Sequence, residues 1–224
     1  EAALTFTAEL TDAGSNVGTS TTNTITRDLT IPSLAIDAPS VIALANESSY
    51  TLSGTCDEDT ATVNIALGAL ATTTTCSSGT WSKTAWDVST ESDNAAIAIT
   101  ADYDDAAGNS ATQATSNVLK DTIGATVALV TPVDLSTITS ATDSSTFVVD
   151  GTCDENGQAV QVKINGTAAA NPIGLNCDGT NFTGTIDTTA LTYGVHSFTA
   201  ELTDANGNVG VSTPHSIERV DYNV

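Results

Sequence analysis

Over short stretches of the chain, apolar residues recur at every second position. Tyr50, Leu52, Gly54 and Cys56 fall on one side of such a run, and Phe147, Val149, Gly151 and Cys153 repeat the arrangement, opposed mainly by Thr, Ser and Asp. Period two is the mark of a strand half buried in a sheet, because successive side chains leave opposite faces. Further strands are expected at Val63–Leu67, Val160–Ile164, Ile97–Tyr103 and Phe198–Leu202, bounded by Gly, Asn and Asp turns. The 3.6-residue period of a packed helix is missing, so the pattern predicts an all-β chain.

The strands come back in blocks. Phe6-Thr7-Ala8-Glu9-Leu10-Thr11-Asp12-Ala13 returns as Phe198-Thr199-Ala200-Glu201-Leu202-Thr203-Asp204-Ala205, with a looser copy at Ile99 to Ala106. Each copy runs into Asp-Ala-x-x-Asn, at Asp12–Asn16, Asp105–Asn109 and Asp204–Asn208. Gly-Thr-Cys-Asp-Glu occurs at 54–58 and again at 151–155, 97 residues later. The repeating unit is therefore about 95 residues. Its spacing places the closing strands of one unit at 1–29 and whole units at 30–122 and 123–224. An isolated hairpin is marginal in water, so 1–29 is expected to belong to a longer array or to be donated to a neighbouring chain. About six to eight short strands per unit predict tandem immunoglobulin-like antiparallel β-sandwich domains, with a small barrel as the alternative. In the lettering of that sandwich, Cys56 ends strand B, strand C follows, and strands F and G flank the Asp-Ala-x-x-Asn turn.

Composition narrows the reading. Threonine, about forty residues, supports extended structure throughout, and aromatics make up only 4%. A formal charge of -22, from 27 acidic against 5 basic side chains, excludes nucleic acid as a partner because phosphate would be repelled. No apolar run approaches the roughly 18 residues of a spanning helix, so membrane insertion is not expected, and no signal or transit pattern opens the chain. Of the three ways to join four cysteines, Cys56 with Cys76 and Cys153 with Cys177 is the one that respects the repeat. Each loop of about 20 to 24 residues so closed contributes roughly 3 kcal/mol in the chain-entropy model and points to an oxidising compartment. Five residues after the second cysteine stands an aromatic, Trp81 or Phe182, expected to pack on the disulfide.

The acidic residues are not evenly spread. In this sandwich the B–C and F–G loops lie beside the start of strand A. That end would gather Asp28, Asp57, Glu58, Asp59, Asp102, Asp104, Asp105 and Asn109 in one unit, and Asp121, Asp154, Glu155, Glu201, Asp204 and Asn208 in the next. Like charges about 5 Å apart repel by roughly 3 kcal/mol at an effective dielectric of 20, which a hard cation relieves. Calcium accepts six to eight oxygens in a forgiving geometry and suits ligands drawn from several loops. Spacing agrees: Asp12 precedes Asp28 by 16 residues, Asp105 precedes Asp121 by 16, and Asp204 precedes Asp221 by 17. The competing account is that Asp and Asn form turns on their own. Catalysis is not expected. No Gly-x-Ser-x-Gly elbow occurs, no CxxC supports a zinc site, and only Trp81 and Trp86 are at hand to hold a sugar beside paired carboxylates.

Gly-Thr-Cys-Asp-Glu-Asn-Gly-Gln-Ala-Val at 151–160, Cys-Ser-Ser-Gly-Thr-Trp-Ser at 76–82, and Asp-Ala-Ala-Gly-Asn at 105–109 leading to Lys-Asp-Thr at 120–122 together resemble the tandem bacterial immunoglobulin-like repeats of large secreted surface adhesins. The resemblance spans nearly the whole chain. It implies an extracellular, cell-surface string of sandwiches rigidified by Ca²⁺ at domain junctions, a stalk for a tip that binds a host or surface glycan or protein elsewhere in the parent. By position the implied ligands are Asp28, Glu58 and Asp105 at one junction and Asp121, Glu155 and Asp204 at the other. Partners would be neighbouring immunoglobulin-like domains of the same or an adjacent chain. Thr60 stands where the second unit has Gly157, and Leu29–Pro32 and Ile123–Ala125 replace the usual Thr-x-Ala-Pro linker, so the two junctions are expected to differ. Two other functions fit the sequence: a filament subunit whose residues 1–29 complete a neighbour's sandwich, and a Ca²⁺-dependent carbohydrate-binding module using Trp81 or Trp86.

Overall fold

The computed structural model describes residues 2–139 and 141–220. The chain divides into two compact units, Glu1–Ser40 with Glu47–Lys120, and Val41–Asn46 with Asp121–Val224.

The first unit begins with a ribbon: β1 (Ala2–Phe6) pairs antiparallel with β4 (Asn23–Arg27), and β2 (Glu9–Thr11) with β3 (Val17–Thr19). Every residue of these four strands is exposed. A sandwich follows, built from β5 (Leu34–Ile36), β6 (Tyr50–Cys56), β7 (Thr62–Leu67), β8 (Leu70–Thr75), β9 (Thr80–Trp86), β10 (Asn94–Asp102) and β11 (Ala114–Lys120). Its sheets run β5-β6-β9 and β11-β10-β7-β8. Strand B is thus β6, C is β7, and F and G are β10 and β11.

The second unit repeats the plan with β12 (Val127–Thr131), β13 (Thr137–Ile138), β14 (Phe147–Cys153), β15 (Val160–Ile164), β16 (Thr167–Ala168), β17 (Ala170–Ile173), β18 (Asn181–Asp187), β19 (Gly194–Thr203), β20 (Val209–Val211) and β21 (His215–Arg219). One sheet is β12-β14-β18-β17; the other is β13-β21-β19-β15-β16, with β20 alongside β19. The units part company after strand C. In the first, β8 stays beside β7 for six paired positions. In the second, Asn165 and Gly166, both at positive φ, turn the chain into the two-residue β16, and Pro172, which has no N–H to continue that ladder, sits in β17 on the opposite sheet.

Alternation sets the core. β6 and β14 bury every second residue, and Val63, Ile65, Leu67, Ile99 and Ala101 are at most 2% exposed. Aromatic side chains pack beside these aliphatic ones. Trp81 lies directly across from Gly54 and Phe182 from Gly151. A Cβ on Gly54 would come within 2.6 Å of the Trp81 ring, and one on Gly151 within 2.5 Å of the Phe182 ring. The Gly two residues before each Cys therefore makes room for the aromatic. Trp81 also donates its indole N–H to the Ala35 carbonyl at 3.1 Å. Disulfides join Cys56 to Cys76 and Cys153 to Cys177, each within one unit.

Candidate functional site

The Asp-Ala-x-x-Asn turn is one structure made three times. Asp105 Oδ1 accepts the N–H groups of Ala107 at 2.9 Å and Asn109 at 2.8 Å, while Oδ2 accepts the Asn109 amide at 2.8 Å. Asp204 binds Asn206 and Asn208 in the same way, at 2.8, 2.8 and 2.9 Å. Asp12 takes the N–H groups of Gly14 and Asn16 at 2.8 and 2.9 Å and the Asn16 amide at 3.0 Å. Short polar side chains that bond backbone two residues on are the standard device for such corners. The amide of Asn109 and the adjoining N–H groups hold the Asp105 carboxyl below its ordinary range, and Asn16 does the same for Asp12. Burial works to raise Asp204, but the donors of Asn208, Asn206 and Gly207 outweigh it and keep that carboxyl low as well.

In the first unit three separate segments line one recess of about 170 Å³: Asp28, Thr30 and Pro32 from the linker between β4 and β5, Asp57 and Glu58 from the β6–β7 loop, and Asp105 from the β10–β11 turn. An adjoining recess of about 180 Å³ takes in Glu58, Asp59, Asp104 and Asp105. Asp57 is anchored by the Ser33 N–H at 2.9 Å to both oxygens and by the buried Tyr103 hydroxyl at 2.5 Å. The Tyr103 bond is the main reason its carboxyl sits below the usual range. Asp28 caps the Thr30 N–H at 2.9 Å. Glu58 is half-buried, and its carboxylate accepts no hydrogen bond among the described residues.

The second unit has the same arrangement. Asp154 accepts the Thr126 N–H at 2.8 Å, and Asp121 accepts the Ile123 N–H at 3.1 Å and the Asn206 amide at 2.7 Å. Glu155, the counterpart of Glu58, again has no donor. Partial burial pushes its carboxyl up, and Asp154, Asp204 and Asp121 push it further by like-charge repulsion. Among the described residues no basic group offsets them.

Three of the proposed ligands, Asp102, Glu201 and Asn208, stand elsewhere or are already engaged. Asp102 points off the outer face of its sheet, accepting the Asn64 amide at 2.9 Å, and Glu201 does likewise, paired with Lys163 at 2.6 Å. The alternation explains both: Ala101 and Ala200 face the core, so their neighbours face out. Asn109 donates its amide N–H to Asp105, a bond that does not engage its oxygen; Asn208 donates its own to Asp204 and the Asp121 carbonyl, and its oxygen accepts the Leu44 N–H at 3.0 Å. Trp81 and Trp86 are 1% and 8% exposed, so the carbohydrate reading loses its stacking platform. Asp221 lies outside the described residues. Among the described residues no three His, Cys, Asp or Glu side chains are gathered closely enough to hold a metal ion as they stand. The donors are oxygen throughout, which suits a hard cation in kind.

Spacing also passed over the basic residues at the ends of the last strands. Lys120 is 2% exposed, with its ammonium 2.8 Å from Glu47 and 3.0 Å from the Val88 carbonyl. Arg219 pairs with Asp143 and lies 5.3 Å from the Tyr193 ring centroid. The signal was present in the sequence as a basic residue at 27, 120 and 219, each shortly before an aspartate.

No protein-family model matches the chain, and no curated protein matches it in sequence. Solved structures do match. One is a Ca²⁺-stabilized adhesin that helps an Antarctic bacterium reach out and bind ice, at 21% identity and a TM-score of 0.54 over 99% of this chain. The likeness is one of fold. This chain spans 58% of that structure's length. Two more are a 1.5-MDa bacterial ice-binding adhesin, at 20% identity over 98% of this chain and 74% of that one with a TM-score of 0.48, and a tetra-tandem repeat from the extending region of a large adhesion protein, at 20% over 96% and 56% with a TM-score of 0.41. What the likeness shows for this chain is the fold, an all-β immunoglobulin-like sandwich architecture. Among the described residues no helix is long and apolar enough to cross a membrane.

Proposed function

We propose that the chain is a non-catalytic stalk segment of a bacterial cell-surface adhesin or extracellular fibre, stiffened within each repeat by a disulfide and by Ca²⁺ bound where the linker entering each sandwich meets the two acidic loops. The observation that carries this is Glu155, set without a donor beside Asp121, Asp154 and Asp204, which come from three separate segments. Glu58 is its counterpart beside Asp28, Asp57 and Asp105. Asp28, Glu58 and Asp105 would hold one cation and Asp121, Glu155 and Asp204 the other. Bound there, the ion would neutralise the carboxylates and tie the linker to the sandwich it enters. The disulfides suit an exported protein, since such bonds persist in oxidising compartments. The adhesin fold of the first neighbour, itself Ca²⁺-stabilized, supports the same reading.

Calcium titration by calorimetry, with melting followed in EDTA and in excess Ca²⁺, tests it. At a free concentration a hundred times Kd, binding to the folded state alone adds about 2.7 kcal/mol, a rise in Tm of roughly 11–20 °C for units of this size. Identical melting in EDTA and calcium, with no heat of binding, refutes the cation and leaves a disulfide-stapled stalk.

A further inference from the structure

Asparagine followed by glycine occurs three times, at Asn156-Gly157, Asn165-Gly166 and Asn206-Gly207, and all three pairs lie in the second unit. Such a pair is chemically labile, because a glycine nitrogen with no side chain beside it can reach the carbonyl carbon of the preceding side-chain amide. Attack of that nitrogen on Cγ forms the new C–N bond, breaks the bond to the amide nitrogen, which leaves as ammonia, and closes a succinimide ring. Water then opens the ring to aspartate or to its β-linked isomer, isoaspartate. No other reagent enters. A Cβ placed on Gly157, Gly166 or Gly207 would meet nothing within 4 Å, so crowding at the nucleophile does not distinguish the three.

What distinguishes them is how the amide is held. Asn165 is fixed at both ends: its Oδ1 accepts the Ser197 N–H at 2.9 Å, its Nδ2 lies 2.9 Å from His196 Nδ1, and its own N–H donates to the Ser197 carbonyl at 2.8 Å. Asn206 is half-buried, with its amide donating to the Asp121 carboxylate at 2.7 Å and its N–H to Asp204 Oδ1 at 2.8 Å. Asn156 is exposed, and its side chain makes no hydrogen bond among the described residues. The restraint there is on the nucleophile alone: the Gly157 N–H donates to the Cys177 carbonyl at 2.8 Å. The first unit shows what the product would resemble. Asp57-Glu58-Asp59 stands where the second unit has Asp154-Glu155-Asn156, and Asp59 lines a recess with Glu58, Asp104 and Asp105.

We propose that Asn156 is a modification site: in the folded protein it converts spontaneously to aspartate and isoaspartate, ahead of Asn165 and Asn206. The conversion gives the β14–β15 loop the acidic triplet that the first unit carries from the start, and it adds a carboxylate beside Glu155. It needs neither a cation nor a partner, so it stands or falls apart from calcium binding.

The test incubates the full chain, disulfides intact, in EDTA at neutral pH, and follows each asparagine by peptide mapping with mass spectrometry. The Asn156 peptide gains the mass of an acid for an amide and separates into aspartate and isoaspartate forms. Asn165 and Asn206 react about tenfold or more slowly, since each must first break two or three hydrogen bonds worth about fivefold apiece in rate. In the reduced chain unfolded in urea the three sites converge, which assigns the order to the fold and not to the dipeptide. Asn156→Gln, whose longer side chain closes a ring far less readily, loses the fast conversion and leaves the two slow sites as they were. Asn165 or Asn206 reacting first in the folded chain overturns the proposal. So does an Asn156 that stays intact while the unfolded chain converts, or a fast conversion that persists in Asn156→Gln. Aspartate formed with no isoaspartate overturns the ring step.

Discussion

Glu155→Gln separates a strained acidic cluster from a cation site, because the two predict opposite signs. In cation-free protein the Glu155 carboxyl is raised above its ordinary 4.5, first by partial burial and then by Asp154, Asp204 and Asp121. A carboxyl raised in the folded state favours folding only while protonated. That contribution is complete below the unfolded value and is lost as pH rises through the folded one. At pH 7 the ionised group therefore works against the fold, and the glutamine variant is the more stable. At pH 3, where the carboxyl is protonated folded and unfolded, the two proteins differ little. The side chain is partly open to water, so screening limits the gain to about 0.5–1 kcal/mol, or roughly 2–6 °C in Tm. Excess calcium reverses the order, since the variant has lost a charged ligand and gains less from binding. Scanning calorimetry at both pH values, in EDTA and in calcium, reads all of this. Both tryptophans are Trp81 and Trp86 in the first unit, so their fluorescence is an internal control that the substitution leaves unmoved. A variant less stable than the parent in EDTA at pH 7 refutes the repulsion argument, and one that gains as much from calcium removes Glu155 from the site.

Two substitutions test the packing on which the site is mounted. Gly151→Ala puts a methyl 2.0 Å from the Ala128 carbonyl oxygen and 2.5 Å from the Phe182 ring, so urea denaturation should show the second unit weakened by about 3 kcal/mol or more, with no loss meaning that the ring does not lie over the glycine. Thr60 has φ 74° where its counterpart Gly157 has 83°, a conformation that strains a β-branched side chain, so Thr60→Gly should stabilise the first unit by about 1 kcal/mol in tryptophan-monitored unfolding, and a destabilised variant would show that its side chain contributes more than the backbone strain costs.

Much of this was legible in the sequence because two independent periodicities agree. The alternation through Tyr50, Leu52 and Cys56 fixes which side chains enter the core, and the 97-residue return of Gly-Thr-Cys-Asp-Glu says that both units use it alike. The same alternation, carried one residue further, places Asp102 and Glu201 outside the cluster, since each follows a buried alanine. Counting acidic residues by segment overlooked that phase. The sheet exchange after strand C was legible only locally: Pro172 forbids a continued ladder, but nothing in the sequence says which edge the chain joins next. Tyr103 was read as part of a strand, and its bond to Asp57 depends on a contact across 46 residues that no local pattern encodes.

The ribbon also separates two explanations that the sequence left entangled. Asp12 makes the same bonds to Gly14 and Asn16 as Asp105 and Asp204 make in their own turns, yet it does so on an exposed ribbon. The turn is thus complete without an acidic partner loop, and the recurrence of Asp-Ala-x-x-Asn is accounted for by backbone hydrogen bonding alone. What the turn does not account for is the glutamate that follows Cys-Asp in both units. Asp57 and Asp154 cap the N–H groups of Ser33 and Thr126, whereas Glu58 and Glu155 accept nothing and remain half-buried beside other carboxylates. At Glu155, whose carboxyl is raised by partial burial and then by Asp154, Asp204 and Asp121, this lowers stability in the metal-free protein. The case for a cation therefore rests on these two glutamates rather than on the number of aspartates, and the glutamine substitution at 155 is the measurement aimed at it.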